Sequence, residues 1–384
     1  MPVVVLHVMP DLAVGGGQVL LLRHAGAHTA ACAHQVAFVR PPAEMRSRYE
    51  DAGIGCHELG GGGAWSSGRA LARVARSVGA GVIHANNTAS DRRAAYVAAW
   101  LTGLPLVTTL HAEMPVDRPG LKAALRGAGR GVERALARRV LRRAIAVSEH
   151  VRRSWSARLG TMLGDGGVVE VIHPGLDLVA FDRAAPASSR ERVRRELGVA
   201  AGVPVVIHVG RLAHGKGHVE LIPALARLRG SMPEARAWIV GDGPQRGELQ
   251  SRIGEAGLSG VISLLGERGD VPALLRAADA MIFPSYSEGF GLAPLEAMAA
   301  GLPVVAFGLP SLREFVADGE SGVLVSEGGG EALGAAAAGV LASPGVRERM
   351  GSAGRAIVER RFTIGRFVAD MERVYLSVAS EGRR

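Results

Sequence analysis

The chain has 384 residues, 48% of them hydrophobic and 21% charged, with a formal net charge of +9. That length is long for one hydrophobic core and suits two domains. The longest apolar stretch, "AAYVAAWLTGLPLV", is broken by Gly103 and Pro105 short of the roughly 18 residues a membrane span needs. The only two cysteines, Cys32 and Cys56, stand in no metal-ligand spacing and read as packing thiols of a cytoplasmic protein.

The N-terminal "MPVVVLHVMPDL" lacks a basic segment and a cleavage pattern, so it reads as a strand rather than a signal. Strands are expected along the first half at "VVVLHVMP", "HQVAFVR", "GVIHANN", "PLVTTLH", "RAIAVSE" and "VEVIHPG". In the second half they are expected at "PVVIHVG", "ARAWIVG", "VISLLG", "AMIFPS", "PVVAFG" and "GVLVS". The intervening stretches, such as "HVELIPALARLRG", repeat their apolar residues at helical spacing. Near-continuous apolar strands separated by helices imply parallel sheets covered on both faces. The rhythm occurs twice, so two doubly wound α/β domains are expected, joined around "HPGLDLVAFDRAAPASSRE". Ligands of such sheets bind at strand carboxyl ends, which makes a site between two facing sheets the default.

"HVGRLAHGKGH", residues 208–218, fits the first seven positions of a phosphate-binding P-loop through Gly210, Gly215 and Lys216. The eighth position is Gly217, which cannot supply the hydroxyl that holds magnesium, and the chain contains no Asp-x-Asp pair. Arg211 and Lys216 are then the charges suited to a pyrophosphate, one a bidentate fork and the other a mobile point charge. A surface loop with two solvated cations is the competing reading. "PSYSEGFGLAPLEAMAAGLPVVA", residues 284–306, sets Glu288 and Glu296 around a Gly-rich turn that opens a helix. The helix N-terminus suits a phosphate, and the carboxylates suit a hexose and a ribose. Capping and charge pairing are the alternative roles for both.

These stretches, together with "GDGP" at 241–244 and "GERGDVPALLRAADAMIFPS", resemble the signature series of family 4 glycosyltransferases, most closely over residues 205–325. The first half matches more loosely through "DLAVGGGQ", "TLHAE", "AVSEHVRR" and "VIHPGLD". The resemblance implies a GT-B fold: two Rossmann-like domains facing across a cleft, acceptor-side over 1–178 and donor-binding over 179–365, with a helix at about 366–384 crossing back. It implies retaining transfer of a hexose-type sugar from a UDP- or GDP-sugar, without a metal cofactor. Arg211 and Lys216 resemble the pair that neutralises the donor diphosphate. Glu288 resembles the carboxylate on the transferred sugar, assisted by the backbone of Phe290, Gly291 and Leu292, and Glu296 the ribose ligand. Gly16 and Gly17, beside Gly15, match the glycines near the donor phosphate, and Gly241 belongs to the same donor set. His111 matches the active-site histidine, Asp11 an acceptor-side position, and Arg268 a position near the base. The acceptor would be a glycan, glycolipid or small metabolite. A nucleotide-sugar epimerase of the same fold, or a non-catalytic nucleotide-sugar or nucleic-acid binding module, are the alternatives.

His7, His84 and His208 fall within strands and read as core residues. The charge is uneven: residues 1–180 hold 21 basic against 13 acidic side chains. Residues 118–158 alone hold twelve against Glu133 and Glu149, with Arg134, Arg138, Arg139, Arg142 and Arg143 expected on one helix. Aromatic residues are too scarce for a nucleic-acid module. A solvated helix face is one reading, and attraction to an anionic acceptor or to an anionic membrane surface is the other.

Overall fold

The computed structural model describes residues 1–13, 15–27, 29–86, 89–114, 121–163, 167–326 and 329–381, with backbone only for 89–90 and 121–130. The chain divides into two compact units. Unit 1 is Met1–Gly175 with Ile364–Arg384, and unit 2 is Leu176–Thr363. No helix among the described residues is long and apolar enough to cross a membrane.

Unit 1 is built on seven strands: β1 (Val3–Met9), β2 (Cys32–Phe38), β3 (Gly55–Glu58), β4 (Val82–Asn86), β5 (Leu106–Leu110), β6 (Leu141–Ala146) and β7 (Val168–Val171). They pair in parallel in the order β3-β2-β1-β4-β5-β6-β7. Six were expected. The seventh, β3, is "GCHE", an edge strand with no fully buried residue, so it carries no apolar run to betray it. Strand order reverses at β1, between β2 and β4, which puts the ligand-binding crevice of such a sheet at the carboxyl ends of β1 and β4.

Unit 2 contains β8 (Val205–Val209), β9 (Arg236–Val240), β10 (Ile262–Gly266), β11 (Ala280–Phe283), β12 (Val304–Phe307) and β13 (Gly322–Val325). All six were expected, and they run parallel in the order β10-β9-β8-β11-β12-β13. The reversal here lies at β8, beside β11. The loops following these two strands are "GRLAHGKG" and "PSYSEGFG", so topology alone brings the two motifs together.

The core of unit 1 contains an unusual number of buried imidazoles. His7 on β1, His34 on β2, His84 on β4 and His24 on the helix Gly16–Gly26 are all nearly inaccessible. The helix Ile364–Glu381 covers them with Tyr375 and Phe367. His7 Nε2 lies 2.9 Å from His34 Nδ1, and His84 places Nδ1 2.8 Å from the Tyr375 hydroxyl and Nε2 2.8 Å from Thr109 Oγ1. Glu372 accepts from the Thr29 amide at 2.9 Å and from its hydroxyl at 2.8 Å, fastening the same helix to the start of the chain. Desolvation by burial, then the neighbouring imidazoles, holds His7 well below its usual range. The same desolvation, aided by His111 and His34, lowers His84 from 6.5 to about 3.

These rings are therefore neutral in the folded state. Below pH 6.5 the unfolded chain takes up protons that the folded chain refuses, so stability falls as pH drops from 6.5 towards 3. His84 alone should remove about 2 kcal/mol of stability between about pH 7 and pH 5. Urea titrations of the wild type and His84→Gln at the two pH values would show it. Equal acid sensitivity in both proteins would deny His84 this role.

Two details depart from the sequence reading. The Arg-rich helix Leu121–Val140 ends before β6, so Arg142 lies on the strand and not on the expected helix, and Arg143 belongs to the strand expected at "RAIAVSE". Arg143 is also largely buried, paired with Glu381 at 2.6 Å and facing Glu170 at 3.8 Å. Residues 118–120, within the basic stretch, lie outside the described residues, and 121–130 are described by backbone alone. Burial raises the thiols of Cys32 and Cys56 to about 11, in keeping with packing roles.

Candidate active site

The loop after β8 resolves the apparent P-loop. Gly215 and Gly217 both adopt positive φ, 86° and 68°. A Cβ on Gly215 would meet open space, whereas one on Gly217 would overlap the carbonyl oxygen of Pro284. The serine of a P-loop therefore has no room at this position. Glycine here lets the loop after β8 lie directly against the loop after β11, and Tyr286 donates its amide to the Gly215 carbonyl at 3.0 Å to hold the two together. Lys216 is thereby carried to Glu288. Its Nζ lies 2.7 Å from Glu288 Oε1, which also accepts from Ser285 Oγ at 2.7 Å. The carboxylate side chain is only 12% exposed and the lysine 35%. Arg211 is exposed and has no carboxylate partner among the described residues.

The rest of the unit 2 set clusters along the same loops. Phe290 is buried and stacks on Phe315 with centroids 4.8 Å apart, which pins the turn from below. Gly291, at φ 106°, precedes the helix Leu292–Ala299 with no side-chain cap. Leu292 is the first helical residue, and Glu296 sits one turn further, partly buried. Gly241 follows β9 at φ 127°, donates to the Gly266 carbonyl at 2.7 Å, and could not carry a Cβ without overlapping the Gly210 carbonyl. That close approach shapes the floor of the loop bearing Arg211.

Arg268, expected near the base, is already engaged by neighbouring carboxylates. Its Nε and Nη2 lie 2.8 Å from the two oxygens of Asp270, and Nη2 also donates to Glu196 at 2.8 Å. The guanidinium is thereby held in place by two carboxylates. Ser285 was missed: "SYSE" places a hydroxyl three residues before Glu288, a spacing with no meaning until the loop is seen to double back.

In unit 1, the helix Gly16–Gly26 also begins without a side-chain cap and without an acidic residue in its first turn. Gly17 leaves open space where a side chain would stand. Asp11 lies just upstream, its Oδ1 accepting from Gln18 Nε2 at 3.1 Å and from the Ala13 amide at 3.3 Å, so its carboxylate is held against the start of that helix. His111 follows β5, and with Gly17, Asn86, Thr109 and His84 it lines a narrow pocket of about 20 Å³, room for one water-sized group. Desolvation lowers the His111 ring to about 4, so it is neutral at pH 7 and can donate from one nitrogen and accept at the other. Asn86 and Thr109, buried walls of this pocket, were not singled out by the sequence.

Comparison with known proteins agrees with this geometry. The family of glycosyl transferases group 1 matches residues 189–357, and Glycosyltransferase Family 4 matches residues 14–179. A 2-deoxystreptamine glucosyltransferase from Streptomyces kanamyceticus is 35% identical over 167 residues, covering 42% of this chain and 43% of that protein. A D-inositol 3-phosphate glycosyltransferase from Salinispora arenicola is 40% identical over 170 residues, covering 41% and 38%. The matched region thus spans less than half the length of these curated relatives. HepE from Anabaena, solved in complex with UDP and glucose, superposes with a TM-score of 0.82 at 25% identity, over 98% of this chain and 100% of HepE. With one family description matching each half and a full-length structural counterpart, the chain belongs to the GT-B glycosyltransferases of the family 4 type.

Proposed function

We propose that the protein transfers a hexose-type sugar from a UDP-sugar to a hydroxyl of a glycan, glycolipid or small metabolite, with retention and without a metal cofactor. The observation that carries this reading is the Lys216–Glu288 pair, formed where the strand order of unit 2 reverses and on the loop that also carries Arg211, which has no carboxylate partner among the described residues. The UDP and glucose bound by HepE support UDP as the nucleotide. An incoming diphosphate competes with Glu288 for Lys216. Drawing the ammonium onto phosphate frees one carboxylate oxygen to accept from the sugar's hydroxyls, so donor binding itself readies the sugar ligand. The bare start of the helix Leu292–Ala299 adds its dipole to the anion.

In the reaction, the bond from the sugar's anomeric carbon to the diphosphate breaks as the acceptor oxygen bonds to the same carbon on the same face. The acceptor proton passes to the departing diphosphate oxygen. Arg211 and Lys216 stabilise the charge that develops there, where preorganised cations act most strongly. Neutral His111 serves as a hydrogen-bond partner to a sugar hydroxyl, with Gly17 giving the donor close approach.

The test is release of UDP from UDP-sugars across an acceptor panel, with and without chelator. Activity lost in chelator and restored by magnesium would refute metal independence, and an epimerised sugar nucleotide formed from donor alone would replace transfer with epimerisation. His111→Ala should lower kcat at least about tenfold, or roughly 1.4 kcal/mol, with little change in UDP affinity. A normal kcat per active site in a less stable protein would leave His111 a structural residue.

A further inference from the structure

Unit 1 carries a second chemically distinctive surface, none of whose residues lines the His111 pocket. The helix Ala64–Ser77 presents Trp65, Arg69, Arg73 and Arg76 to solvent at spacings of four, four and three residues, one stripe of a single face. Trp65 is 50% exposed and meets Trp100, 45% exposed, edge to face with centroids 6.2 Å apart. Trp100 in turn walls a groove of about 210 Å³ whose floor includes Leu104, Pro105 and Val140, with Arg139 and Arg142 also lining it. Arg76 reaches the Leu101 carbonyl at 2.8 Å, which joins the stripe to the groove.

Among the described residues none of Arg69, Arg73, Arg76, Arg139 and Arg142 forms an ion pair with a carboxylate. Between residues 59 and 105 the only carboxylate is Asp91, which is fully buried, and residues 134–143 contain none. Among the described residues Arg69 and Arg73 have no acidic partner. Two large amphipathic rings are left half in water beside five arginines, whereas the other two tryptophans, Trp155 and Trp238, are buried as usual.

We infer that this face docks on an anionic phospholipid bilayer. Tryptophan is the side chain suited to the boundary between headgroups and acyl chains, because its ring is apolar and its N–H needs a polar partner. Arginine forks bind phosphodiesters, and the groove between Arg139, Arg142 and Trp100 offers a headgroup both charge and apolar contact. The edge-to-face arrangement of the two rings gives no parallel platform for stacking nucleic-acid bases. The inference is independent of the donor site, since it uses none of its residues. It also moves the membrane contact away from the basic run 118–158 as a whole and onto the helix Ala64–Ser77 and its neighbours.

The test is sedimentation of the full chain with phosphatidylcholine vesicles, alone or with about one-third phosphatidylglycerol, at roughly physiological salt. Binding is expected only with the anionic lipid. Brominated acyl chains should quench tryptophan emission, and the quenching should vanish in Trp65→Ala/Trp100→Ala. Arg69→Gln/Arg73→Gln/Arg76→Gln should weaken partitioning ~100-fold, at about 1 kcal/mol per residue near the surface. The exposed unit 2 pair Arg227→Gln/Arg229→Gln should leave it unchanged, and thermal melting confirms that each variant is folded. Equal binding to both vesicles, no binding to either, or binding that survives the face variants would each overturn the proposal. So would its abolition by about 10 mM inorganic phosphate without any lipid quenching, which would mark a site for a soluble anion.

Discussion

Gly217→Ser, which would complete the P-loop pattern on paper, should abolish binding of UDP and lower the stability of unit 2 by about 3–5 kcal/mol. The side chain would have to occupy the space of the Pro284 carbonyl oxygen, at a backbone φ of 68° that L-residues rarely adopt. Flexible neighbours can yield to an added Cβ, but here the obstacle is backbone, and relief means separating the loops after β8 and β11. That separation would also pull Lys216 from Glu288. Gly215→Ser is the internal comparison: its φ of 86° is equally left-handed but its Cβ faces open space. It should lose only about 1–2 kcal/mol, the strain of the conformation alone. Chemical denaturation of both variants beside UDP calorimetry would measure the difference. If the two serines were equally tolerated, the loop contact would have no part in shaping the site.

Glu288→Gln should reduce turnover by ~100-fold or more, about 3 kcal/mol, while UDP itself binds within about threefold of wild type. Glutamine preserves the shape beside Ser285 and Lys216 but removes the charge proposed to accept from the sugar's hydroxyls. Affinity for the intact UDP-sugar should fall with turnover. Glu296→Gln should instead weaken UDP and UDP-sugar alike by about 1.5–3 kcal/mol, the scale of a hydrogen bond to a charged group, because ribose is common to both. Calorimetry with each ligand on each variant separates the roles. Identical losses of bare UDP in both variants would show that the two carboxylates do not divide sugar and ribose between them.

Twelve of the thirteen strands were legible because apolar runs of that length have little alternative use. The edge strand β3 was not, since a strand that needs only one neighbour can be built from Gly, Cys, His and Glu. The boundary at Val140 and Leu141 was lost for a related reason. "LARRVLRRAIAV" keeps helical spacing across the point where the chain changes to β6, and only pairing with β5 shows which state wins. At the site, the charges and glycines were visible in the motifs, but their partnerships were not. Nothing in "RGD" says that Arg268 folds onto Asp270 rather than outward, and nothing in "NN" or "TTLH" says that Asn86 and Thr109 share a pocket with His111. Such pairings arise from topology, which brings separate strand ends side by side. The need for glycine at 217 has the same origin, being set by a carbonyl 67 residues away in sequence.

The fastening of Tyr375 to His84 and of Glu372 to Thr29 bears on the order in which the protein can mature during synthesis. Unit 2 is a continuous stretch, complete once Thr363 has left the ribosome. Unit 1 begins first and finishes last, because its imidazole-rich face has no cover until the helix Ile364–Glu381 emerges. Throughout the translation of unit 2, the nascent first sheet holds His7, His24, His34 and His84 open to water and free to bind protons. A chain ended after residue 363 and released from the ribosome would therefore carry a finished unit 2 joined to an unfinished unit 1, a species that histidine-directed labelling would distinguish from the mature fold.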